Sequence, residues 1–421
     1  MSALFKLAND LRMWALLANS AYALSSFLLG YLLLLHTDAM QFGLFAFFLM
    51  VQSFGYGVFN ALFASPLLIA SNKTSSLPAG SLKPMLWVSL VISLLLISVQ
   101  AVVLWYQALP WTGMLWLLTA SAWLNLRWFC RCSQQQEAPT TVIVADLLFS
   151  FVAVCGGLAL LLLQQLSLST VSALLFVAAM VSAVPSLPLL GRILVAKSEH
   201  KVWRHGFQQQ GKPALLGVLS AEVSANFHQY FIIAFKGAAA LAPLAAAGLF
   251  LRPMTLVQTS LAQIDRPKLA RAAAVGDRPL FQKIARSMLR LSIFAYLLNL
   301  LVVACVLWLA PNWLWQQTTT QFDFIACLIF VAAVSLLRSL RGPASTQLQA
   351  LDEFHFLAAV TLRSTAVVIP LVLLGYSLFD FYGTLVAMFI GECWIALPIL
   401  WRCRQQQKSF GKTVDSPRGL H

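Results

Sequence analysis

The sequence predicts an all-α polytopic membrane protein of about twelve transmembrane helices arranged as two six-helix bundles. Three observations predict it. Hydrophobic residues make up 60% of the 421-residue chain and charged residues only 10%, against about 25% charged in a soluble domain. Apolar runs long enough to cross roughly 30 Å of hydrocarbon recur about every 35 residues. The basic residues gather in every second connection between those runs.

In chain order, spans are expected at 13–35, 42–70, 84–106, 111–130, 140–163 and 168–190, then at 213–235, 239–262, 288–310, 322–342, 355–377 and 381–401. The first apolar stretch, Trp14 to Leu35, is longer than the ~7–15 residues of a signal-peptide core, so it reads as a span. The second exceeds the ~25 residues an upright span needs, so a tilt or a break near Gly55 and Gly57 is expected. The bundles are expected at 1–190 and 213–401, joined by a basic cytosolic linker at 191–212 and followed by a cytosolic tail at 402–421. The segments 191–212 and 263–287 should be partly helical, and the polar tail should fray.

The charge pattern sets the threading. Of the 28 Lys and Arg residues, 25 fall in one alternate set of connections or in the termini. Lys236 stands in the opposite set, and Arg252 and Arg363 lie inside spans. Such one-sidedness predicts cytosolic termini and an even number of spans. The net charge of +14 therefore reports membrane orientation and not a nucleic-acid surface, because the cations sit in short blocks between apolar runs. The seven cysteines lie in apolar runs or basic segments and are expected as free thiols.

Two stretches repeat. Gly43-Leu44-Phe45 with Gln52 and Pro66 is echoed by Gly248-Leu249-Phe250 with Gln258 and Pro267. Leu126-Arg127 with Arg131 and Gln134 is echoed by Leu337-Arg338 with Arg341 and Gln347. Both offsets are close to half the chain, which is the mark of a parallel internal repeat. With the Phe-Gly-Leu-Phe-Ala start of the second span (42–46), the Leu-Arg…Arg…Gln-Gln-Gln exit of the fourth (126–136) and the Gln…Pro-Lys-Leu exit of the eighth (263–269), the chain resembles the polysaccharide (O-antigen type) flippases. These belong to the multidrug/oligosaccharidyl-lipid/polysaccharide (MOP) superfamily. The resemblance covers most of the chain diffusely. It implies two six-helix bundles with the first, second, seventh and eighth spans lining a cavity.

Polar groups in hydrocarbon are costly and commonly face a path or a partner. Spacing places Asn19 and Tyr22 in one stripe, Gln52, Tyr56 and Asn60 in a second, and Glu222, Asn226 and Gln229 in a third. Arg252 with Thr255 forms a fourth near mid-span, ahead of a helix-interior Pro253. With His228, these are the candidate path residues; the resemblance puts their spans around the cavity. Arg252 and Glu222 could equally hold each other as an ion pair, and the amide and tyrosine stripes could be interhelical glue. Asp146, Arg363, Glu392 and Lys236 are candidates for coupling or for structural charge; Asp146 and Arg363 could snorkel or pair with loop residues.

No nucleotide-binding glycine-lysine loop, histidine pair at metal spacing or large extramembrane domain is present in the sequence, so no cofactor, metal or covalent catalysis is expected. Carrying substrate across the bilayer is the expected function. The resemblance implies flipping of a polyprenyl-diphosphate-linked oligosaccharide in a bacterial cytoplasmic membrane, with membrane lipids and a glycan polymerase or assembly complex as partners. A cation-coupled multidrug antiporter is the alternative within the superfamily. A membrane-embedded glycan-assembly enzyme or scaffold is the alternative outside it.

Overall fold

A computed structural model describes residues 11–64, 66–67, 79–135, 137–199, 204, 207–309 and 321–409. Among them the chain is helical almost throughout. The elements are α1 (Leu11–His36), α2 (Ala39–Phe59), α3 (Ala79–Tyr106), α4 (Trp111–Gln134), α5 (Pro139–Leu162), α6 (Leu168–Ala183) and the short α7 (Leu187–Val195). They continue with α8 (Lys212–Lys236), α9 (Ala238–Val275), α10 (Arg278–Leu309), α11 (Gln321–Ala350) and α12 (Phe354–Ser409). Among the described residues nine helices are long and apolar enough to cross a membrane; the last of these, Phe354–Gln407, holds two of the expected spans, and α4 and α8, where the fourth and seventh spans are expected, are not among the nine. The chain is a multi-pass membrane protein.

Lipid is the solvent for the outer faces. On α3, Leu94, Leu95, Val102 and Trp105 are 65, 62, 69 and 75% exposed, a surface water would not tolerate. The opposite face of α3 buries Leu82, Met85 and Leu86 against Phe59 and Phe63 of the α2 end, Phe129 of α4 and Ile193 of α7. Tight turns join several helix pairs. Asp38 caps α2 by accepting the Gln41 N–H at 2.7 Å. Ser167 and Thr170 form a reciprocal cap on α6. One glycine, Gly237 at φ 85°, turns α8 into α9 in a conformation a side chain would resist.

Several boundaries differ from expectation. Helix α2 runs unbroken through Gly55 and Gly57; the irregularity is a π-turn at Asn60–Ala64. Gly55 instead lets Leu96 and Asn125 come close. The sixth span is interrupted by a 3₁₀ turn at Val184–Ser186, where Pro185 withdraws a backbone donor. The expected connection at 263–287 is almost wholly helix, with α9 ending at Val275 and α10 starting at Arg278 around Gly276. The expected tail stays helical to Ser409, while the eleventh and twelfth spans part at non-helical Phe379 and Asp380. Residues 65, 68–70, 200–203, 205–206, 310 and 410–421 of the expected spans, linker and tail lie outside the described residues.

By contacts the chain divides into two compact units. Unit 1 is Met1–Leu219 with Ile232–Ala242, and unit 2 is Ser220–Phe231 with Pro243–His421. In unit 1, α1 packs chiefly on α5, and α4 chiefly on α6. In unit 2 the strongest pairing is α11 with α12, followed by α10 with α11.

Candidate functional site

Unit 1 is organised around one carboxylate. Asp146, on α5, is 2% exposed and ion-paired to the Arg127 guanidinium of α4. Arg131, one turn further along α4, reaches its second oxygen at 3.3 Å. A helix places residues i and i+4 on one face, so α4 presents both guanidinium groups to the same acid. Asp146 therefore does not snorkel, and its partners belong to the bundle and not to a loop. A buried carboxylate is tolerable only when paired, which explains why the acid and the arginines occur together in apolar helices.

Aromatic rings enclose the same arginines. The Arg127 guanidinium carbon lies 4.4 Å from the Tyr22 ring centre and 4.9 Å from that of Phe149. Arg131 lies 4.7 Å from the Trp128 ring centre. Such contacts contribute about 0.5–2 kcal/mol each when water is excluded. Trp128 stacks on Tyr56 with centres 3.9 Å apart, and its indole N–H donates to Asn60 Oδ1 at 3.2 Å. The Tyr22 and Tyr56 hydroxyls share a 3.1 Å hydrogen bond. Arg131 also donates to Asn19 Oδ1 at 3.1 Å.

The structure thus brings Asn19, Tyr22, Tyr56 and Asn60 into one partly exposed polar cluster. Gln52, expected beside them, is 2% exposed and instead donates to Ser121 inside the bundle. Its buried position makes it interhelical glue. Trp128 carried no signal in the sequence, because a tryptophan among apolar residues looks like any lipid-facing ring. Arg127 and Arg131 were visible only as the expected end of a span.

Unit 2 holds a second carboxylate clamp. Glu392, 5% exposed on the second segment of α12, meets Arg338 Nε at 3.1 Å and Arg341 Nη2 at 2.8 Å, both from α11. Glu222 of α8 is partly buried and accepts the Tyr230 hydroxyl at 2.7 Å. Asn226 Oδ1 accepts from Gln229 at 3.2 Å. His228 is 1% exposed, with neither ring nitrogen hydrogen-bonded among the described residues. Thr255 Oγ1 donates to the Arg252 carbonyl at 2.7 Å on its own helix, and Arg252 is partly buried. Lys236 and Arg363 are exposed. Among the described residues no group of three or more His, Cys, Asp or Glu side chains converges as a metal site would require.

Solved structures share this fold. An inward-facing multidrug resistance MATE family transporter of the MOP superfamily superposes with a TM-score of 0.64 at 13% identity, covering 94% of this chain and 96% of that one. The fold is that of the MOP transporters. The lipid II flippase MurJ, in an inward closed conformation, superposes at 0.66 with 11% identity, covering 94% of this chain and 89% of its own. A MOP superfamily transporter from Pyrococcus furiosus, described as having a binding pocket of reversed polarity and a different function, superposes at 0.57 with 14% identity over 95% of each chain. No protein-family model and no curated protein matches the sequence.

Proposed function

We propose that this protein is a membrane transporter that flips a polyprenyl-diphosphate-linked oligosaccharide or related glycan precursor by alternating access. The observation that carries the reading is charge. The carboxylate clamp of unit 2, Glu392 with the part-exposed Arg338 and Arg341, holds two cations for one anion. The surplus favours a diphosphate or acidic sugar inside a low-dielectric protein and opposes a cationic drug. The fold shared with a lipid II flippase agrees with a lipid-linked cargo. Asn19, Asn60 and the tyrosine hydroxyls supply the donors and acceptors that sugar hydroxyls need. Arg252 supplies a further guanidinium for the phosphates. The positive-inside pattern supports cytosolic termini, and the resemblance to the polysaccharide flippases implies a bacterial cytoplasmic membrane.

The test is deletion of the gene followed by extraction of polyprenyl-linked glycans. Intermediates trapped on the cytosolic leaflet are expected, together with their release on complementation. Arg252→Ala is expected to insert and fold but not complement. Unchanged glycans in the deletion strain would remove this reading.

A cation-coupled multidrug antiporter is the second reading, and Glu222 favours it. This partly buried carboxylate, held by Tyr230, is the kind of group that takes up a proton or cation. New drug sensitivity on deletion, abolished by Glu222→Gln, would select that reading.

A further inference from the structure

The Asp146 clamp contains an imbalance that protein groups do not settle. Arg127 is almost fully buried, at 3% side-chain exposure, and uses one terminal nitrogen on Asp146. Its Nε and its other terminal nitrogen, Nη1, have no hydrogen-bond partner among the described residues. Beside them lies a cavity of about 10 Å³, lined by Arg127, Arg131, Gln134, Asp146 and Ser186 with Val142 and Ala145. That is room for a single small occupant. Ser186 donates to Gln134 Oε1 at 2.7 Å, so the Gln134 amide N–H₂ is left as a further donor at this wall.

A water molecule there could satisfy the N–H groups but not the charge. Two guanidinium groups against one carboxylate leave one net positive charge at a site where Arg127 and Asp146 are almost fully buried and only Arg131, 17% exposed, reaches the surface, and such a charge is unfavourable without a counter-ion. The ring faces of Tyr22 and Phe149 ease this but do not neutralise it. We propose that the cavity binds a monatomic anion, a halide such as chloride, held by the free Arg127 N–H groups with Arg131 and Gln134. The size of the cavity excludes sulfate, phosphate and carboxylates. Asp146 itself lines the cavity, so the two guanidinium groups make the site anion-selective through its net charge and not through an absence of acids.

The test uses the purified full-length protein at constant ionic strength. Replacing gluconate by chloride or bromide is expected to raise the thermal unfolding midpoint by about 3–5 °C in a saturable way, while sulfate does not. Crystals grown in bromide are expected to show an anomalous peak within hydrogen-bond distance of Arg127. Gln134→Glu places a tethered carboxylate at the same wall. It is expected to abolish the halide dependence while matching the halide-saturated stability of the parent. Equal midpoints in chloride and gluconate with no bromide peak would overturn the proposal. So would stabilisation by sulfate equal to that by chloride, since ionic strength would then be the cause.

Discussion

The two carboxylate clamps share a plan and differ in depth. In unit 1 the arginines of α4 reach an acid on the adjacent α5, and the inner one, Arg127, is 3% exposed. In unit 2 the arginines of α11 reach an acid on the far segment of α12, and their side chains are 34 and 26% exposed. The difference teaches that one sequence pattern, two arginines a helical turn apart, can serve two physical roles. Where both partners are buried, the pair is a structural commitment that fails if either is removed. Where the arginines are partly solvated, the same pair leaves donors within reach of a passing anion at lower structural cost.

The comparison can be broken at several points. The largest effect is expected from Asp146→Ala, which strands Arg127 in the bundle at a cost of about 3–5 kcal/mol. It should appear as loss of monodisperse protein in detergent and a large drop in thermal stability. Glu392→Ala is expected to cost only about 1–2 kcal/mol, because Arg338 and Arg341 already meet solvent. Equal losses at the two acids would erase the distinction drawn between the units. Replacing Arg127, Arg131 and Asp146 together by leucine is expected to recover most of the folded yield lost in Asp146→Ala, since an apolar trio leaves no charge buried.

Next in size is Gly43→Ala. A methyl group there would press on the Ala238 backbone carbonyl within unit 1, and overpacking of this kind costs about 1–3 kcal/mol. In unit 2, Thr365 donates to the Ser220 carbonyl at 3.0 Å and meets the Ser224 hydroxyl at 2.8 Å. Thr365→Val should cost about 1 kcal/mol, read as a small shift in the unfolding midpoint. The smallest effect is expected at Gln52→Leu in unit 1. Gln52 Oε1 is already buried without a partner among the described residues, so the loss of the Ser121 contact is offset and stability should move by less than ~1 kcal/mol.

Much of the fold was legible beforehand, for a definite reason. Crossing a bilayer forces long apolar helices on the backbone, and cations lag on one side, so both features are written directly into residue order. Each expected span has its helix or helix segment among the described residues. What was misplaced follows from local packing. Gly55 looked like a hinge but is a close-contact site, while Asn60, with no breaker nearby, begins a π-turn. The basic stretch at 263–287 was expected to be only partly helical and is helix almost throughout, because charge masked its continuity with the flanking spans. For the candidate site, helical spacing found Asn19, Tyr22, Tyr56 and Asn60. It overlooked Trp128, whose stacking on Tyr56 joins helices 72 residues apart in the chain.

By itself, the sequence determined that this chain lives in a membrane and that it is all helix. Those properties depend on the transfer energy of single segments, which needs no neighbour. Only the tertiary structure decided which charges meet. Asp146 found Arg127 and Arg131, and Glu392 found Arg338 and Arg341, because interhelical packing selects one rotation of each helix and so one set of facing residues. That choice rests on side-chain fit between distant segments, and the linear order of residues does not contain it.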